Sequence, residues 1–193
     1  MPPVRPAFCR YNGGVAFCIR AFQKGDFETL WRIDQVCFDA MLAYSRPEMA
    51  FYMRRPGAFT YVAEEAPASG AEGGPWEGED GSKGEILGFL VAEVQSPSGH
   101  IITIDVVPRA RRLGVGSALL TAAEKRMEDA GVSAVALETA VNNAPAIRFY
   151  RQSGYFVEKT VRGYYSNQLD ALVMVKELAA RAQAESAETV RPH

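Results

Sequence analysis

From Thr103 to Leu120 the chain reads TIDVVPRARRLGVGSALL. Its first residues close an apolar, β-branched run (Ile101, Ile102, Ile104, Val106, Val107), which predicts a strand that Pro108 stops. Arg109, Arg111 and Arg112 follow, then Gly114, Gly116 and Ser117. Val115, Ala118, Leu119, Ala122, Ala123 and Met127 next recur on one face of a helix. Strand, basic glycine turn and helix together form a recipe for holding phosphates. Glycines admit close approach of the backbone, first-turn N–H groups point at the anion, and arginines add charge. A P-loop is excluded, because its glycine spacing and its Lys-Ser/Thr pair are missing, and a dinucleotide fingerprint fails because Leu119 stands where a third glycine is needed.

What remains is Arg111-x-x-Gly114-x-Gly116, which resembles the acyl-CoA pyrophosphate motif of the GNAT N-acetyltransferase superfamily. An ordinary βα turn with solvated arginines is the competing reading of the same residues.

Composition narrows the partners. The chain has 193 residues, enough for one domain with a real core, and a formal charge of −2 with no basic run to favour nucleic acid. No apolar run approaches a membrane span, and MPPVRPAFCRYNGG lacks a signal core, so a cytoplasmic protein is expected, as a monomer or homodimer. Cys9, Cys18 and Cys37 have no metal spacing; their odd number fits free thiols in a reducing compartment, with Cys18 and Cys37 as buried structural thiols. No metal is expected. Of the two histidines, His193 is terminal and His100 follows a turn, Ser96-Pro97-Ser98-Gly99, where a solvated ring is the favoured expectation. Chemistry then falls to carboxylates, tyrosines and backbone.

Residues 1–14 read as a flexible leader, 15–178 as the folded domain and 179–193 as a tail. Strands are predicted over Val15–Phe22, Ala58–Glu64, Ile86–Val94, Val132–Val141, from Gly154, and over Ala171–Lys176. Helices are predicted after Gly25-Asp26, over Arg46–Arg54, after Gly114 and over Ala144–Gln152. The Gly-, Pro- and acid-rich segment 66–84, with Trp76, reads as a mobile hairpin insertion. The fold class is α+β, a mixed six- to seven-stranded sheet flanked by about four helices.

The second informative stretch is LETAVNNAPAIRFYRQSGYF, Leu137–Phe156. Alternation puts Ala136, Glu138 and Ala140 on one face of a strand, a carboxylate flanked by small apolar neighbours. Either it works chemically, or it is a strand-end residue in solvent or paired with Arg148. Asn143 sits at a helix N-cap, and Tyr150 shares a helix face with Ile147, as a core residue or a proton donor.

Asn143-x-x-Ala146-Ile147-x-x-Tyr150-x-x-x-Gly154-Tyr155, with Tyr164-Tyr165 and Asp170-Ala171-Leu172-Val173-Met174, resembles the RimI-type ribosomal-protein-alanine N-acetyltransferases. It is also similar to the catalytic subunits of eukaryotic N-terminal acetyltransferases. The chain departs from that pattern at Ala140, where the family usually carries arginine, and in the 66–84 insertion.

The resemblance implies the GNAT fold, acetyl-CoA as cosubstrate, and direct acetyl transfer to a primary amine, foremost a protein N-terminus. It implies that backbone at Ile104, Asp105 and Val106 binds the pantetheine arm. The turn Arg111, Arg112, Leu113, Gly114, Val115, Gly116 and Ser117 binds the pyrophosphate, and Asn143 bonds the CoA arm. Glu138 is implied as general base, Tyr150 as general acid, and Tyr164 and Tyr165 as the grip on the acceptor. These residue types suit acid–base work, since a carboxylate among apolar neighbours accepts a proton, and a phenol with a reference pKa near 10 donates one. A small-molecule amine acetyltransferase and a non-catalytic CoA-binding module are the alternatives.

Overall fold

The computed structural model describes residues 8–12, 15–40, 42–66, 84–165 and 169–178, with 8–12 described as backbone. Eight strands form one sheet: β1 (Phe8–Asn12), β2 (Val15–Ala21), β3 (Ala58–Glu65), β4 (Ile86–Gln95), β5 (Ser98–Val106), β6 (Ala134–Ala140), β7 (Phe156–Val161) and β8 (Ala171–Glu177). Their order is β1-β2-β3-β4-β5-β6-β8-β7. Every neighbouring pair is antiparallel except β5 and β6, which the helix α3 (Val115–Asp129) connects in parallel. The mixed α+β sheet is as expected, with one strand more than the upper count.

That extra strand corrects the expectation of a flexible leader for residues 8–12, the part of 1–14 that is described. Phe8–Asn12 pairs with β2, Asn12 opposite Val15 and Cys9 opposite Cys18. A short strand at a sheet edge gains its hydrogen bonds from the neighbour and needs no core-facing pattern of its own. Cys18 is disulfide-bonded, so the thiol count gives no ground for a reducing compartment, while Cys37 remains a free thiol. No helix among the described residues is long and apolar enough to cross a membrane. The 66–84 insertion, apart from its end residues, and the tail from 179 lie outside the described residues.

β4 is buried on both faces from Ile86 to Glu93, which explains its unbroken apolar run. On one side α3 and α4 (Ala144–Gln152) pack Leu119, Leu120, Met127, Tyr150, Leu90, Val135, Leu137 and Met174 into the main core. On the other, α1 (Phe27–Cys37) and α2 (Arg46–Met53) cover Leu30, Ile33, Met49, Phe89 and Val91. α2 begins on a reciprocal cap between Ser45 and Glu48, which satisfies two of its otherwise orphaned N–H groups.

Candidate active site

β5 and β6 pair only from Ser98–Ala134 to Ile101–Leu137. Beyond Leu137, β6 keeps pairing with β8, and beyond Ile101, β5 keeps pairing with β4. The two central strands therefore part, leaving Ile102–Val106 and Glu138–Ala140 on either side of a gap. A bulge accompanies the parting: Ala92 faces Ile101 and Val91 faces Thr103, so Ile102 has no partner on β4. The extra residue also resets the alternation. Ile101 faces the α3 core, yet Ile102 packs on the α1 side and Ile104 and Val106 pack back towards α3. Val107 N–H bonds Leu87 on β4. Alternation then turns the peptide groups of Ile104 and Val106 the other way, into the gap. The Val106 carbonyl there accepts Arg111 Nε–H at 3.0 Å and the Cys37 thiol at 3.4 Å.

Beyond β5 the chain makes a 3₁₀ turn (Pro108–Ala110) and enters α3 through two left-handed residues, Arg112 at φ 64° and Gly114 at φ 82°. The backbone can reverse there because glycine bears no Cβ at the second of them. Of the three arginines, Arg109 is drawn away by Glu85 at 2.6 Å and Glu65 at 3.3 Å. Among the described residues no carboxylate pairs with Arg111 or Arg112. Val115, Gly116 and Ser117 supply first-turn N–H groups that no helical carbonyl can accept. A Cβ on Gly116 would lie 3.5 Å from the Phe149 ring, an ordinary contact, so the protein's own packing does not demand glycine. Asn143 caps α4 by accepting Ala146 N–H at 3.2 Å, which engages its carbonyl oxygen.

At the point where the strands part stands Glu138, and its partner is His100, not Arg148. His100 Nε2 lies 2.6 Å from Glu138 Oε2. This corrects the expectation of a solvated turn histidine: His100 is inside β5, opposite Ala136 of β6 and Glu93 of β4, with one-third of its side chain exposed. Glu93 is 3% exposed; its Oε1 accepts Gln95 Nε2–H at 2.9 Å, and its Oε2 lies 3.1 Å from Arg55 Nε. A turn as tight as Ser96-Pro97 makes Glu93 and His100 cross-strand partners by simple counting, which is the signal that was available in the sequence.

Further along the same face lie two buried acids. Asp105 accepts the Thr103 hydroxyl at 2.8 Å and Asp34 of α1 accepts Tyr44 N–H at 2.8 Å; each keeps one buried oxygen with no hydrogen bond. Burial pushes Asp105 up to about 7, against the Thr103 bond, and Asp34 up to about 6, against the Tyr44 and Gln35 bonds. Tyr150 is 6% exposed and feels Asp105 and Tyr165; burial first, then those neighbours, raises its phenol well above the ordinary range, so it stays protonated. Tyr164 and Tyr165 stack edge-to-face at 5.0 Å in the loop before β8, and burial with Glu138 nearby raises both phenols, Tyr165 to about 12. Tyr44, with Tyr52, Tyr164 and Tyr165 as electrostatic neighbours, completes an aromatic wall that the α1–α2 connection and α2 share with that loop. The structure thus brings Glu138 together with Tyr164 and Tyr165, and Tyr150 with Asp105, while the phosphate-type turn lies at the far end of β5.

Chemically, the gap offers peptide edges for an extended ligand, donors for an anion at one end, and an acid–base pair at the other. The acetyltransferase (GNAT) family model matches residues 28–155, more than half of the chain. An N-alpha-acetyltransferase of Sulfurisphaera tokodaii is 35% identical over 108 residues, which cover 49% of this chain and 65% of that relative's length. The structure of Ard1 from Thermoplasma volcanium superposes with a TM-score of 0.67 at 27% identity, over 84% of this chain and 97% of that one. The ribosomal-protein-S18-alanine N-acetyltransferase of Escherichia coli shares the fold, with a TM-score of 0.68 at 20% identity over 88% of this chain and 99% of that one.

Proposed function

The chain belongs to the GNAT family and is an acetyltransferase, and from that premise we propose that it moves the acetyl group of acetyl-CoA onto the N-terminal α-amino group of a protein. The observation that carries the reading is the parted β5–β6 pair, with an anion turn at one end and the Glu138–His100 pair at the other.

In this reading the turn from Arg111 to Ser117 holds the pyrophosphate through backbone N–H groups and the charges of Arg111 and Arg112. Ile104, Asp105 and Val106 present the strand edge along which the pantetheine arm lies, and the amide N–H₂ of Asn143 serves that arm. Glu138 takes a proton from the acceptor ammonium, and the freed amine attacks the thioester carbonyl, forming the C–N bond as the C–S bond breaks. Tyr150, kept protonated by its burial, gives the departing thiolate its proton and is reprotonated from the amine's second N–H. Tyr164 and Tyr165 hold the acceptor's first residues. A cytoplasmic location and RimI-like specificity belong to the same proposal; the aromatic wall, wide enough to be shared by three segments, supports a peptide acceptor over a small amine.

The test is thiol release from acetyl-CoA on a panel of short peptides with different N-termini beside a set of small amines. Turnover on peptides is expected. Turnover confined to small amines moves the function to a small-molecule acetyltransferase, and CoA binding without turnover on either set overturns catalysis altogether.

A further inference from the structure

We propose that the acceptor is a protein N-terminus whose first residue is large and uncharged, methionine above all, and that Tyr44 is the residue that selects it. The inference rests on the N-terminal acceptor proposed above and names its class.

The attacking nitrogen has to come within hydrogen-bond reach of Glu138, so the side chain on the carbon next to it lies among the groups around that carboxylate. Those groups are phenols. Glu138 bears on Tyr164 and Tyr165, and both of these bear on Tyr44, which packs against Tyr52 with ring centres 5.2 Å apart. The charges beside these rings are negative, Asp34 at Tyr44 and Glu138 at Tyr164 and Tyr165. The cations of α2 and its C-terminal end are engaged or directed elsewhere. Arg46 pairs with Glu28 at 2.7 Å, and Arg54 lines an outer cleft with Pro47 and Phe51. Arg55, 5.9 Å above the Tyr52 ring, is held by Glu93 at 3.1 Å. An acidic first residue therefore adds a like charge beside Glu138 and meets only a cation that Glu93 already holds. A small first residue leaves the ring faces to water. A long apolar side chain covers them, and a thioether gains further because sulfur packs favourably against aromatic rings. Methionine has both properties, and it is the residue with which protein chains begin.

Tyr44 lies in the connection between α1 and α2, and connections of this kind are ordinarily more mobile than the helices they join. Here α1 holds both backbone groups of this one residue. Asp34 Oδ2 accepts its N–H at 2.8 Å, and its carbonyl accepts Gln35 Nε2–H at 2.9 Å and Trp31 Nε1–H at 3.1 Å. Gln35 also donates to Asp34 Oδ2 at 2.9 Å, which closes the clamp. The capped start of α2 at Ser45 follows directly, and Tyr52 of that helix backs the ring. A wall fixed before the substrate arrives needs no ordering when it binds, so the difference between one first residue and another reaches the rate undiminished. The clamp also gives the sealed Asp34 a use, since its carboxyl group ties residue 44 to α1.

The test is thiol release from acetyl-CoA with peptides that differ only in the first residue: Met, Ser, Glu or Lys. In the wild type kcat/KM for the Met peptide is expected to exceed that for the Ser peptide about tenfold and that for the Glu peptide about 100-fold. A faster Ser, Glu or Lys peptide overturns the class. In Y44A the Met-to-Ser ratio is expected to fall towards parity, whereas Y44F, which keeps the ring, retains it. A ratio unmoved in Y44A, or lost equally in Y44F, overturns the role given to that ring. Should Y44A not fold, Y164A, altered at a ring half exposed, carries the test through the same ratio, an unmoved ratio overturning the tyrosine wall as selector. Small amines in the same assay separate the two layers. Turnover on them with none on any peptide overturns the N-terminal reading beneath, whereas peptide turnover led by Ser overturns the class alone.

Discussion

The two faces of the sheet bury carboxylates on different terms. On the α3 side Glu124, the one buried acid there among the described residues, comes with a cation, Lys176 Nζ at 2.7 Å from β8, and the surrounding residues are almost all aliphatic. On the α1 and α2 side the apolar cluster is smaller and more acids are buried: Asp26 and Glu93 are paired with Arg20 and Arg55, whereas Asp34 and Asp105 are sealed with no ion-paired cation among the described residues. A neutralised acid inside a large apolar cluster serves packing. Sealed acids without a cation cost stability, and Asp34 and Asp105 lie on the face to which the proposed acid–base chemistry is assigned. The α3 face carries the larger core, and the opposite face carries the proposed chemistry.

That division can be broken most sharply at Glu138. E138Q is expected to lower acetyl transfer at least about 100-fold with CoA affinity and melting temperature little changed; turnover like the wild type's in a thiol-release assay would remove Glu138 from the reaction. The mirror experiment is Leu119→Ala, in the heart of the α3 core at 0% exposure. It should cost about 2–5 kcal/mol in urea unfolding, yet leave turnover per folded molecule intact; a selective loss of turnover would blur the two faces.

A finer probe is Gly116, which belongs to α3 and to the turn proposed to hold the pyrophosphate. Alanine there meets Phe149 at ordinary contact and gains helix propensity of roughly 1 kcal/mol, so G116A should melt a few degrees higher while binding CoA about tenfold more weakly. Calorimetric melting and titration with CoA would show whether the two properties part as expected.

The smallest effect concerns Asp105. Its pKa is raised in the fold, from 3.8 to about 7, so the folded state keeps a proton that the unfolded chain gives up. Its contribution is therefore fully present below about pH 4 and lost as pH rises through 7. D105N, uncharged throughout, should flatten the fall of melting temperature between pH 5 and pH 8 by about 2–4 °C. Asp34, raised to about 6, acts in the same direction, so part of the fall remains. An unchanged slope in D105N would mean that Asp105 is not the sealed acid described above.

Much of the site was legible in residue patterns. Gly114 and the Arg111–Ser117 turn could be read because a glycine forced to a left-handed angle and a helix start are local events. Glu138 was legible because a carboxylate in an otherwise apolar strand violates the pattern around it. His100 was not. Its role depends on the parallel register that puts it opposite Ala136, and that register is set by how α3 packs across the sheet, not by anything near residue 100. The pairing of Phe8–Asn12 with β2 was not legible either, because composition at the chain start outweighed the short strand pattern.

By itself, then, the sequence determined the α+β class, the basic glycine turn before α3, the strand carboxylate and the kinship to acetyltransferases, since each is carried by neighbours within about one turn or one strand. Only the tertiary structure decided that β5 and β6 part at Ile101, that Glu138 meets His100 rather than Arg148, and that Glu93 and Asp105 are sealed. The physical reason is that local geometry fixes what a residue type can do, whereas its partner, its burial and its proton depend on segments 38 or more positions away that packing alone brings alongside.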